Sequence, residues 1–398
     1  MRLLFVADGR SPITLSWLRH WLERGDEVHL VSTFPCEPPS GLASFHVLPV
    51  AFGKLGGGQA VRAASGSRQG LVGRLRGFLR PLRYLIGPVS LFLYQRSFRI
   101  LSAAIRPDLI HALRIPFEGM LAAAALPEIP FIVSIWGNDL TLHARGSFLM
   151  AWLTRQTLRR AHGLMADARR DIRLGGEWGF ASDKPTLVVP GAGGLRLDEM
   201  NQLAAAAAPL PDLPEGAPLI VNPRGSRPGS VRNDTFFRAI PLVSQKIPNA
   251  VFVCPPLLGD AEAERWVSTL GIERNVRLWP RLAQPQLWRL FQQAQVFVSP
   301  SAHDGTPNSL LEAMACGCFP VAGDIESLRE WITPGENGLL VNPADPQALA
   351  DAILAALGNA SLRARAAGQN AAILAAGADY GRCMEQVEEF YDGVISNK

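Results

Sequence analysis

The stretch from Val296 to Gly317, VFVSPSAHDGTPNSLLEAMACG, constrains the fold more than any other part of the sequence. It opens with a short, apolar, β-prone run of the kind that forms a buried parallel strand. A helix is predicted to start at Pro307, with Thr306 as its N-cap and Gly317 as the left-handed residue that ends it. Strand, loop and helix in this order are the repeating unit of a parallel α/β fold.

The start of this helix is predicted to bind an anion. The free N–H groups of Asn308 and Ser309 and the helix dipole both favour negative charge there. Two carboxylates flank the position, Asp304 on the loop and Glu312 inside the helix. Such acids are suited to accept hydrogen bonds from the hydroxyls of a sugar or ribose. The plainer alternative is a turn residue at Asp304 and a solvated helix residue at Glu312.

The length of the chain, 398 residues, exceeds what one hydrophobic core usually supports. Its 48% hydrophobic and 19% charged residues exclude a disordered protein. Strand–helix alternation fills residues 1–200, a polar Ala- and Pro-rich segment covers 201–218, and the alternation restarts over 219–377. We therefore predict an α/β protein with two Rossmann-like, doubly wound domains joined by a linker.

The cysteines and the apolar runs bear on the compartment. Five cysteines, an odd number without metal-type spacing, predict reduced thiols and a cytoplasmic location. The apolar run after Arg2 ends at Asp8, which argues against a signal peptide. No run reaches 18 apolar residues, so a transmembrane helix is not predicted.

One segment is strongly basic. From Pro38 to Pro107 the sequence has no acidic residue, while Lys54 and nine arginines occur. In its densest part four arginines alternate with apolar residues: Arg74, Arg76, Arg80 and Arg83. We predict peripheral contact between residues 68–99 and an anionic membrane, the alternative being a domain helix with solvated arginines. A nucleic-acid partner is not predicted, because no recognised binding fold accompanies the charge.

The stretch from Asp304 to Gly317 resembles the signature of the retaining glycosyltransferases of family 4. In that signature a first Glu precedes a second by eight positions, and the second lies within a segment like LEAMACG; here the two acids are Asp304 and Glu312. The resemblance extends to about Ile353. It implies the GT-B architecture, two Rossmann-like domains facing a cleft, with the donor held by the second. It also implies a C-terminal helix, residues 378–398, that crosses back to the first domain.

The resemblance implies a set of catalytic residues. Arg224 and Arg232 take the places of a family Arg and Lys that contact the donor diphosphate, with Arg227 as a substitute for Arg224. A guanidinium suits this role because it presents a planar fork of donors to phosphate oxygens. Glu312 is implied to hold the donor ribose, and Asp304 to orient the hydroxyls of the transferred sugar. Further implied donor-binding residues are Gly9, Leu278, Trp279, Gly305, Thr306, Asn308 and Ser309.

On the acceptor side, Trp136 stands where relatives often carry a catalytically important His, and Asn138 and Asp139 are the preferred polar residues. His111 is predicted to be structural. The implied reaction moves a sugar from a nucleotide-sugar to a hydroxyl of a glycan or glycolipid, with retention of configuration, in cell-surface polysaccharide or lipopolysaccharide assembly. No cofactor and no metal are implied, because the arginines and the helix N-terminus would neutralise the leaving diphosphate.

Two other functions stay open on the sequence alone. One is a nucleotide-sugar epimerase on the same architecture, and the other is a sugar-nucleotide-binding scaffold that has lost catalysis. The departures at Asp304 and Trp136 keep the scaffold open. An NAD site is not predicted, because GAGGLR carries Arg196 where the dinucleotide fingerprint needs Gly.

Overall fold

The computed structural model describes the backbone of residues 1–50 and 69–397, and the side chains of the same residues apart from 69–83 and 86. The described chain divides into two compact units. Unit 1 consists of residues 1–193 and 384–398, and unit 2 consists of residues 194–383. Each unit is built on its own parallel sheet. The predicted α/β class with two doubly wound sheets is confirmed.

Unit 1 alternates strands and helices. Its strands are Arg2–Ala7 (β1), Glu27–Ser32 (β2), Ser44–Val47 (β3), Leu109–Ala112 (β4), Phe131–Ile135 (β5), Gly163–Ala166 (β6) and Thr186–Val188 (β7). Its helices are Pro12–Glu23 (α1), Gln69–Ile105 (α2), Met120–Ala122 (α3), Phe148–Arg160 (α4) and Arg169–Glu177 (α5), with π-helical turns at Ile115–Gly119 and Asp139–His143. The sheet order is β3-β2-β1-β4-β5-β6-β7. The central strands are continuous apolar runs because helices cover both faces of the sheet.

Unit 2 repeats the plan. Its strands are Leu219–Val221 (β8), Val251–Cys254 (β9), Val276–Leu278 (β10), Val296–Ser299 (β11), Phe319–Gly323 (β12) and Leu339–Val341 (β13). Its helices are Leu197–Ala206 (α6), Asn233–Ser244 (α7), Ala261–Leu270 (α8), Gln284–Gln293 (α9), Asn308–Ala315 (α10), Pro346–Gly358 (α11) and Ala360–Gly377 (α12), with a 3-10 turn at Leu328–Glu330. The sheet order is β10-β9-β8-β11-β12-β13. A last helix, Tyr380–Ser396 (α13), begins in unit 2 and ends in unit 1.

Each sheet has one switch point, where the strand order reverses direction. It lies between β1 and β4 in unit 1 and between β8 and β11 in unit 2. Ligands of doubly wound sheets bind outside the carboxyl ends of the strands at this point. The loops that meet there are 8–11 and 113–119 in unit 1, and 222–232 and 300–307 in unit 2. The connectivity therefore marks these four loops as the places to look for a site.

The predicted linker, residues 201–218, differs from the structure. Helix α6 runs into it as far as Ala206, and the helix belongs to unit 2. Met200 and Ala204 are buried, and α6 packs against α9. The first third of the segment was therefore wrong as a linker. Alanine is the best helix former, and packing against α9 stabilises the helix that this Ala-rich sequence favours.

The end of the chain packs on the first helix of unit 1. Glu388 accepts a hydrogen bond from Arg24 at 2.7 Å and lies 2.8 Å from His20 Nε2. The ring of Tyr391 stacks on that of Trp21, with 4.6 Å between the ring centroids. Residues 384–398 thereby complete the core of unit 1.

His111, on β4, is buried in the centre of unit 1. Its Nδ1 pairs with the Tyr391 hydroxyl, and its Nε2 lies 2.8 Å from Ser134 Oγ. The ring of Trp17 contacts it edge-on, with 5.3 Å between the centroids. Burial lowers the pKa of His111 to about 3. These contacts agree with the structural role predicted for it.

We expect His111 to make the protein sensitive to mild acid. The unfolded chain protonates this histidine near pH 6.5, whereas the folded chain keeps it neutral down to about 3. Its contribution to the free energy of unfolding is therefore complete above pH 6.5 and is lost as the pH falls, by up to about 1.4 kcal/mol per pH unit. Urea unfolding followed by tryptophan fluorescence, at a series of pH values, should show a smaller loss in His111→Gln than in the wild type. Parallel losses in the two proteins would contradict this expectation.

Candidate functional site

The loop after β8 carries the predicted arginines, and two buried asparagines shape it. Asn233 Nδ2 donates to the carbonyl of Gly225 at 2.7 Å and Asn222 Nδ2 donates to Asn233 Oδ1 at 3.1 Å. Asn222 Oδ1 accepts from the N–H of Arg224 at 3.1 Å. Gly225 has φ 62°, a value that favours glycine. Sequence reasoning missed both asparagines, because an asparagine in a loop has the same pattern as an ordinary turn residue.

Backbone hydrogen bonds join this loop to the loop after β11. The N–H of Arg232 donates to the carbonyl of Pro300 at 3.0 Å, and that of Ala302 donates to the carbonyl of Ser230 at 2.8 Å. Val231 and Ser301 form an antiparallel bridge. The two loops of the unit 2 switch point therefore form one structure.

Arg224 and Asp304 form an ion pair between the two loops. The Arg224 side chain is only 6% exposed. Its Nη2 donates to Asp304 Oδ2, and its Nη1 donates to Ser309 Oγ at 3.2 Å. Within the described residues the buried Nε of Arg224 has no acceptor. Because a buried donor without a partner costs free energy, this N–H is suited to donate a hydrogen bond to an oxygen of a ligand.

The carboxylate of Asp304 is occupied within the protein. Besides Arg224, it accepts hydrogen bonds from Ser301 Oγ at 3.1 Å and from the N–H of Gly305 at 3.2 Å. The predicted contact of Asp304 with the hydroxyls of the transferred sugar stays a prediction, because a carboxylate can accept more hydrogen bonds than these three. Asp304 positions Arg224.

Helix α10 starts one residue later than predicted. Pro307 is its N-cap and Asn308 its first residue. Thr306, predicted as the cap, is wrong in that role, because its hydroxyl accepts a hydrogen bond from the Trp331 indole at 2.9 Å. Gly317 has φ 78° just past the helix end, so that part of the prediction is confirmed.

The first N–H groups of α10 point at an anion site. In the part of the chain that the structure describes, the N–H groups of Asn308 and Ser309 have no acceptor. The Arg224 guanidinium lies beside them through its bond to Ser309. Helix dipole and guanidinium charge therefore favour an anion at the same position.

Glu312, one turn further along α10, is buried next to a glutamine. Its Oε1 accepts a hydrogen bond from Gln284 Nε2 at 2.8 Å. Burial raises the pKa of Glu312 to about 7, and the hydrogen bond from Gln284 opposes that shift. This carboxyl is therefore close to half ionised at neutral pH, and its ionised form would gain from further hydroxyl donors. Its contact with a ribose stays a prediction, and Gln284 was missed because nothing in the sequence links it to Glu312.

The remaining arginines lie on the joined loops. Arg232 donates two hydrogen bonds of 2.8 Å to Asp234, which lower the pKa of that carboxyl, and its side chain is 39% exposed. Arg227 is exposed, and its Nε donates to the carbonyl of Arg224 at 3.2 Å. Their contacts with a donor diphosphate stay predictions.

Leu278 and Trp279, which were predicted to contact a nucleotide base, have different surroundings. The N–H of Trp279 donates to the carbonyl of Cys254 at 3.3 Å, and its carbonyl accepts from Leu258 at 3.0 Å. Both backbone groups of Trp279 therefore already have a partner, and its contact with a base stays a prediction. Leu278 ends the edge strand β10, and its contact stays a prediction.

Unit 1 has a cavity of about 550 Å³ at its own switch point. Charged and aromatic side chains share its wall: Asp8, Arg10, Phe34, Arg114, Glu118 and Trp136. Phe117, also in the wall, has φ 69°, a strained value for a large residue. Such strain persists only where the surrounding structure holds it, and it is frequent at ligand sites.

Arg114 is one of the charged residues in the wall of this cavity. Its Nη2 donates to Asp139 Oδ1 at 2.5 Å, and its guanidinium lies 5.5 Å from the ring centroid of Trp136. Its Nε is buried and, among the described residues, has no hydrogen-bond partner. Sequence reasoning missed Arg114, although it follows β4 as Arg224 follows β8. An arginine just past a predicted strand was the available signal.

The three predicted acceptor-side residues have different surroundings. Asp139 is fully buried and accepts hydrogen bonds from Arg114 and from the N–H groups of Ile115 and Trp136, both at 3.2 Å. These bonds make Asp139 a positioning residue for Arg114, and its predicted contact with an acceptor stays a prediction. Trp136 is in the cavity wall, whereas Asn138 is a half-buried cap of the following turn. Direct acceptor contacts of these two stay predictions.

Gly9 faces the interior of unit 1. Its N–H donates to Ser32 Oγ at 3.1 Å, and a Cβ at this position would lie 2.7 Å from Cys36 Sγ. The N–H of Gly9 is thus engaged within unit 1 and its surroundings are tight, and its predicted contact with the donor phosphates stays a prediction. Arg10 beside it lines the cavity, with its guanidinium 4.0 Å from the ring centroid of Phe34.

Family models match both units. Residues 9–191 match the model described as glycosyl transferase 4-like domain, and residues 229–359 match the model described as glycosyl transferases group 1. The chain is also 36% identical over 110 residues to a GDP-mannose:cellobiosyl-diphosphopolyprenol alpha-mannosyltransferase of Xanthomonas campestris, over 27% of this chain and 29% of that protein. A diacetylbacillosaminyl-diphospho-undecaprenol N-acetylgalactosaminyltransferase of Campylobacter jejuni is 34% identical over 115 residues, 29% of this chain and 30% of that one. The chain thus spans less than a third of the length of these relatives.

Solved structures resemble the whole chain. Sucrose-phosphate synthase from Thermosynechococcus elongatus aligns over 100% of both chains with a TM-score of 0.72 at 15% identity. Anabaena HepE in complex with UDP aligns over 99% of this chain and 100% of that one, with a TM-score of 0.68 at 16% identity. At such identities the likeness concerns the fold, and the predicted GT-B architecture is confirmed. With a family model matched in each unit, the chain belongs to the group 1 glycosyltransferases of family 4 type.

Proposed function

We propose that the protein is a retaining glycosyltransferase that moves a sugar from a nucleotide-sugar to a hydroxyl of a lipid-linked glycan. The observation that carries the proposal is the anion site of unit 2. There, Arg224 contacts Ser309 at the start of α10, and the buried Nε of Arg224 and the first two N–H groups of α10 have no acceptors among the described residues. Anabaena HepE, which has the same fold, was solved with UDP. A donor diphosphate fits this set of groups.

The proposed chemistry uses fixed positive charge. As the bond between sugar and diphosphate breaks, negative charge grows on the leaving oxygens, and Arg224, Asn308 and Ser309 donate hydrogen bonds to it. Preorganised donors of this kind typically contribute roughly 10²–10³ in rate each. They supply the charge that a metal ion supplies elsewhere, so the proposed reaction is metal-independent and needs no cofactor. The leaving phosphate takes the proton of the acceptor hydroxyl.

The acceptor is proposed to bind unit 1. Two relatives carry a polyprenol or undecaprenol diphosphate in their names, and these names motivate a lipid-linked acceptor in cell-surface polysaccharide or lipopolysaccharide assembly. We propose a cytoplasmic protein held peripherally at the inner face of the membrane through residues 68–99. The side chains of Arg74, Arg76, Arg80 and Arg83 lie outside those that the structure describes. Across the described helices, none combines the length and apolarity that spanning a bilayer requires.

A nucleotide-release assay over a panel of nucleotide-sugars, with and without lipid-linked acceptors, tests the proposal. Acceptor-dependent release with at least one donor is expected, and NMR of the product should show the anomeric configuration of the donor. A folded wild-type protein that releases nucleotide from no donor would refute the proposal.

Replacing Arg232 by alanine is expected to lower turnover by at least about tenfold, because one cation facing the donor diphosphate is lost. Arg238→Ala is the matched control. Arg238 lies in α7 six residues after Arg232, is 58% exposed and has its Nη1 3.7 Å from the same Asp234. Turnover of Arg238→Ala should equal that of the wild type. Equal turnover of all three proteins would remove Arg232 from the site.

A further inference from the structure

Exposed apolar side chains are concentrated on two helices of unit 1. In the described part of the chain, seven of the eleven exposed large apolar residues lie on α2 and α4. They form what we call the two-helix patch: Leu85, Val89, Phe92, Leu93, Ile100, Phe148 and Trp152. Phe148 is 86% and Leu93 74% exposed, although such residues are normally covered.

Helix α2 is apolar on two faces, one buried and one exposed. Every seventh residue from Tyr84 to Phe98 is apolar and buried in the core of unit 1: Tyr84, Leu91 and Phe98. Leu85 and Phe92 follow the same spacing one position later and are exposed. A helix on the surface of a soluble domain usually has a polar outer face, so this outer face calls for a partner.

The two helices are adjacent where the patch is most exposed. Ser147 Oγ donates to the carbonyl of Tyr84 at 2.8 Å, and the Tyr84 ring packs on Gly146 so closely that a Cβ there would clash. Phe148 begins α4 directly after these contacts. Leu85 and Phe148 therefore belong to one surface.

The charge of this surface indicates the kind of partner. Neither α2 nor α4 contains an acidic residue, and the acid-free stretches extend from residue 38 to 107 and from 140 to 166. Exposed arginines accompany the apolar residues, with Arg96 among those of α2, and Arg145 and Arg155 flanking those of α4. Aromatic and aliphatic side chains mixed with arginines are typical of surfaces that lie in the interface of an anionic bilayer. A water-soluble acidic partner would match the arginines but leave the apolar area unexplained.

The patch borders the cavity of unit 1. Tyr84 and His143 both line that cavity, and the Tyr84 hydroxyl lies 2.7 Å from His143 Nδ1. Leu85 of the patch follows Tyr84 directly in the chain, and Phe148 comes five residues after His143. A molecule with a polar head in the cavity could therefore keep an apolar tail along the patch.

We propose that the two-helix patch docks into the interface of an anionic bilayer and that the unit 1 cavity takes the head group of an acceptor whose lipid chain stays in that bilayer. This inference rests on the proposed function and names the acceptor as an amphiphile delivered by the membrane. It differs from the basic segment expected from sequence, because it adds α4 and makes exposed apolar residues the inserted groups.

Vesicle flotation tests the docking. Wild-type protein is expected to float with vesicles of phosphatidylcholine and phosphatidylglycerol, and more weakly with phosphatidylcholine alone. The double variant Leu93→Gln/Phe148→Gln should bind anionic vesicles at least about tenfold more weakly, because two inserted apolar groups are removed. Leu258→Gln is the matched control, since Leu258 is 61% exposed in unit 2, and it should float like the wild type. Wild-type flotation by the double variant would overturn the proposal.

Turnover tests the delivery. With the acceptor embedded in vesicles, the double variant should show a KM for acceptor raised at least about tenfold. With a short-chain, water-dispersed analogue of the acceptor, it should turn over like the wild type. Equal losses of turnover with both acceptors would overturn the proposal. It would also be overturned if the wild type sediments as a dimer and the double variant as a monomer, because the patch would then join two copies of the chain. If neither the wild type nor the variants use any donor, the proposed function is refuted. The flotation result then still shows whether the two-helix patch binds the bilayer.

Discussion

Replacing Arg224 by alanine is expected to lower turnover by roughly a hundredfold or more, the largest effect of any single change in unit 2. Arg224 is the buried cation of the anion site: it contacts Ser309 at the start of α10 and has one N–H left for a ligand. Its loss removes a preorganised donor and leaves Asp304 without its partner. Breaking a buried pair also costs stability, about 3–5 kcal/mol when both groups are fully desolvated and less here, where the Asp304 side chain is 18% exposed.

The measurement is single-turnover nucleotide release, with circular dichroism to show that each variant is folded. Arg224→Lys should retain part of the activity, because it keeps the charge but not the fork of donors. Arg274→Ala is the control, since Arg274 is exposed just before the edge strand β10, away from the loops after β8 and β11, and should leave turnover unchanged.

A double-mutant cycle separates positioning from direct contact. If Asp304 acts by holding Arg224, the variant Arg224→Ala/Asp304→Ala should be about as slow as Arg224→Ala alone. If the losses in turnover of the two single variants multiply in the double variant, Asp304 contacts the substrate independently of Arg224. Wild-type turnover in folded Arg224→Ala and Arg224→Lys would show that Arg224 is not part of the site. If the alanine variant does not fold, the turnover of Arg224→Lys alone tests the role of Arg224.

Glu312→Ala is expected to reduce kcat/KM for the donor by at least about tenfold, because each hydroxyl that loses a charged acceptor in a buried site forfeits about 1.5–3 kcal/mol. The change also leaves Gln284 Nε2 without its acceptor. Glu312→Gln keeps the volume and should lose less. Glu273→Gln is the control, because Glu273 is exposed ahead of β10.

The pH dependence of donor binding tests the same residue. The pKa of Glu312 is raised to about 7, so the donor-free site holds a proton on part of the molecules at neutral pH. Hydroxyl donors favour the carboxylate, so donor binding should release this proton, and the KM for donor should fall as the pH rises through about 7. In Glu312→Gln this dependence should disappear. A KM that falls with pH equally in both proteins would assign the titration to another group.

Several polar groups that the sequence singles out also have partners within the protein. The N–H groups of Trp279 and Gly9 donate to other parts of the fold, and the carboxylate of Asp139 accepts from Ile115. Thr306 was predicted to cap α10, and its hydroxyl accepts from Trp331 instead. Each of these partners comes from another element of the fold, where a local pattern has no information.

The sequence by itself determined the alternation of strand and helix in two halves of the chain, and the loop and helix start that carry the predicted anion site. Apolar runs and helical spacing are local properties, and a chain that alternates strand and helix builds a parallel sheet. That connectivity brings the loops after β8 and β11 together, so Arg224, which the family resemblance implies, lies beside the start of α10.

Only the tertiary structure decided which polar groups face a ligand and which serve the protein. Arg224 and Asp304 are 80 residues apart, and Gln284 and Glu312 are 28 apart, so their pairing depends on how packed elements align. The same holds for α2, whose sequence is apolar on two faces. Periodicity shows that both faces exist, but only packing against the core shows that Leu91 is inside and that Phe92 is left outside.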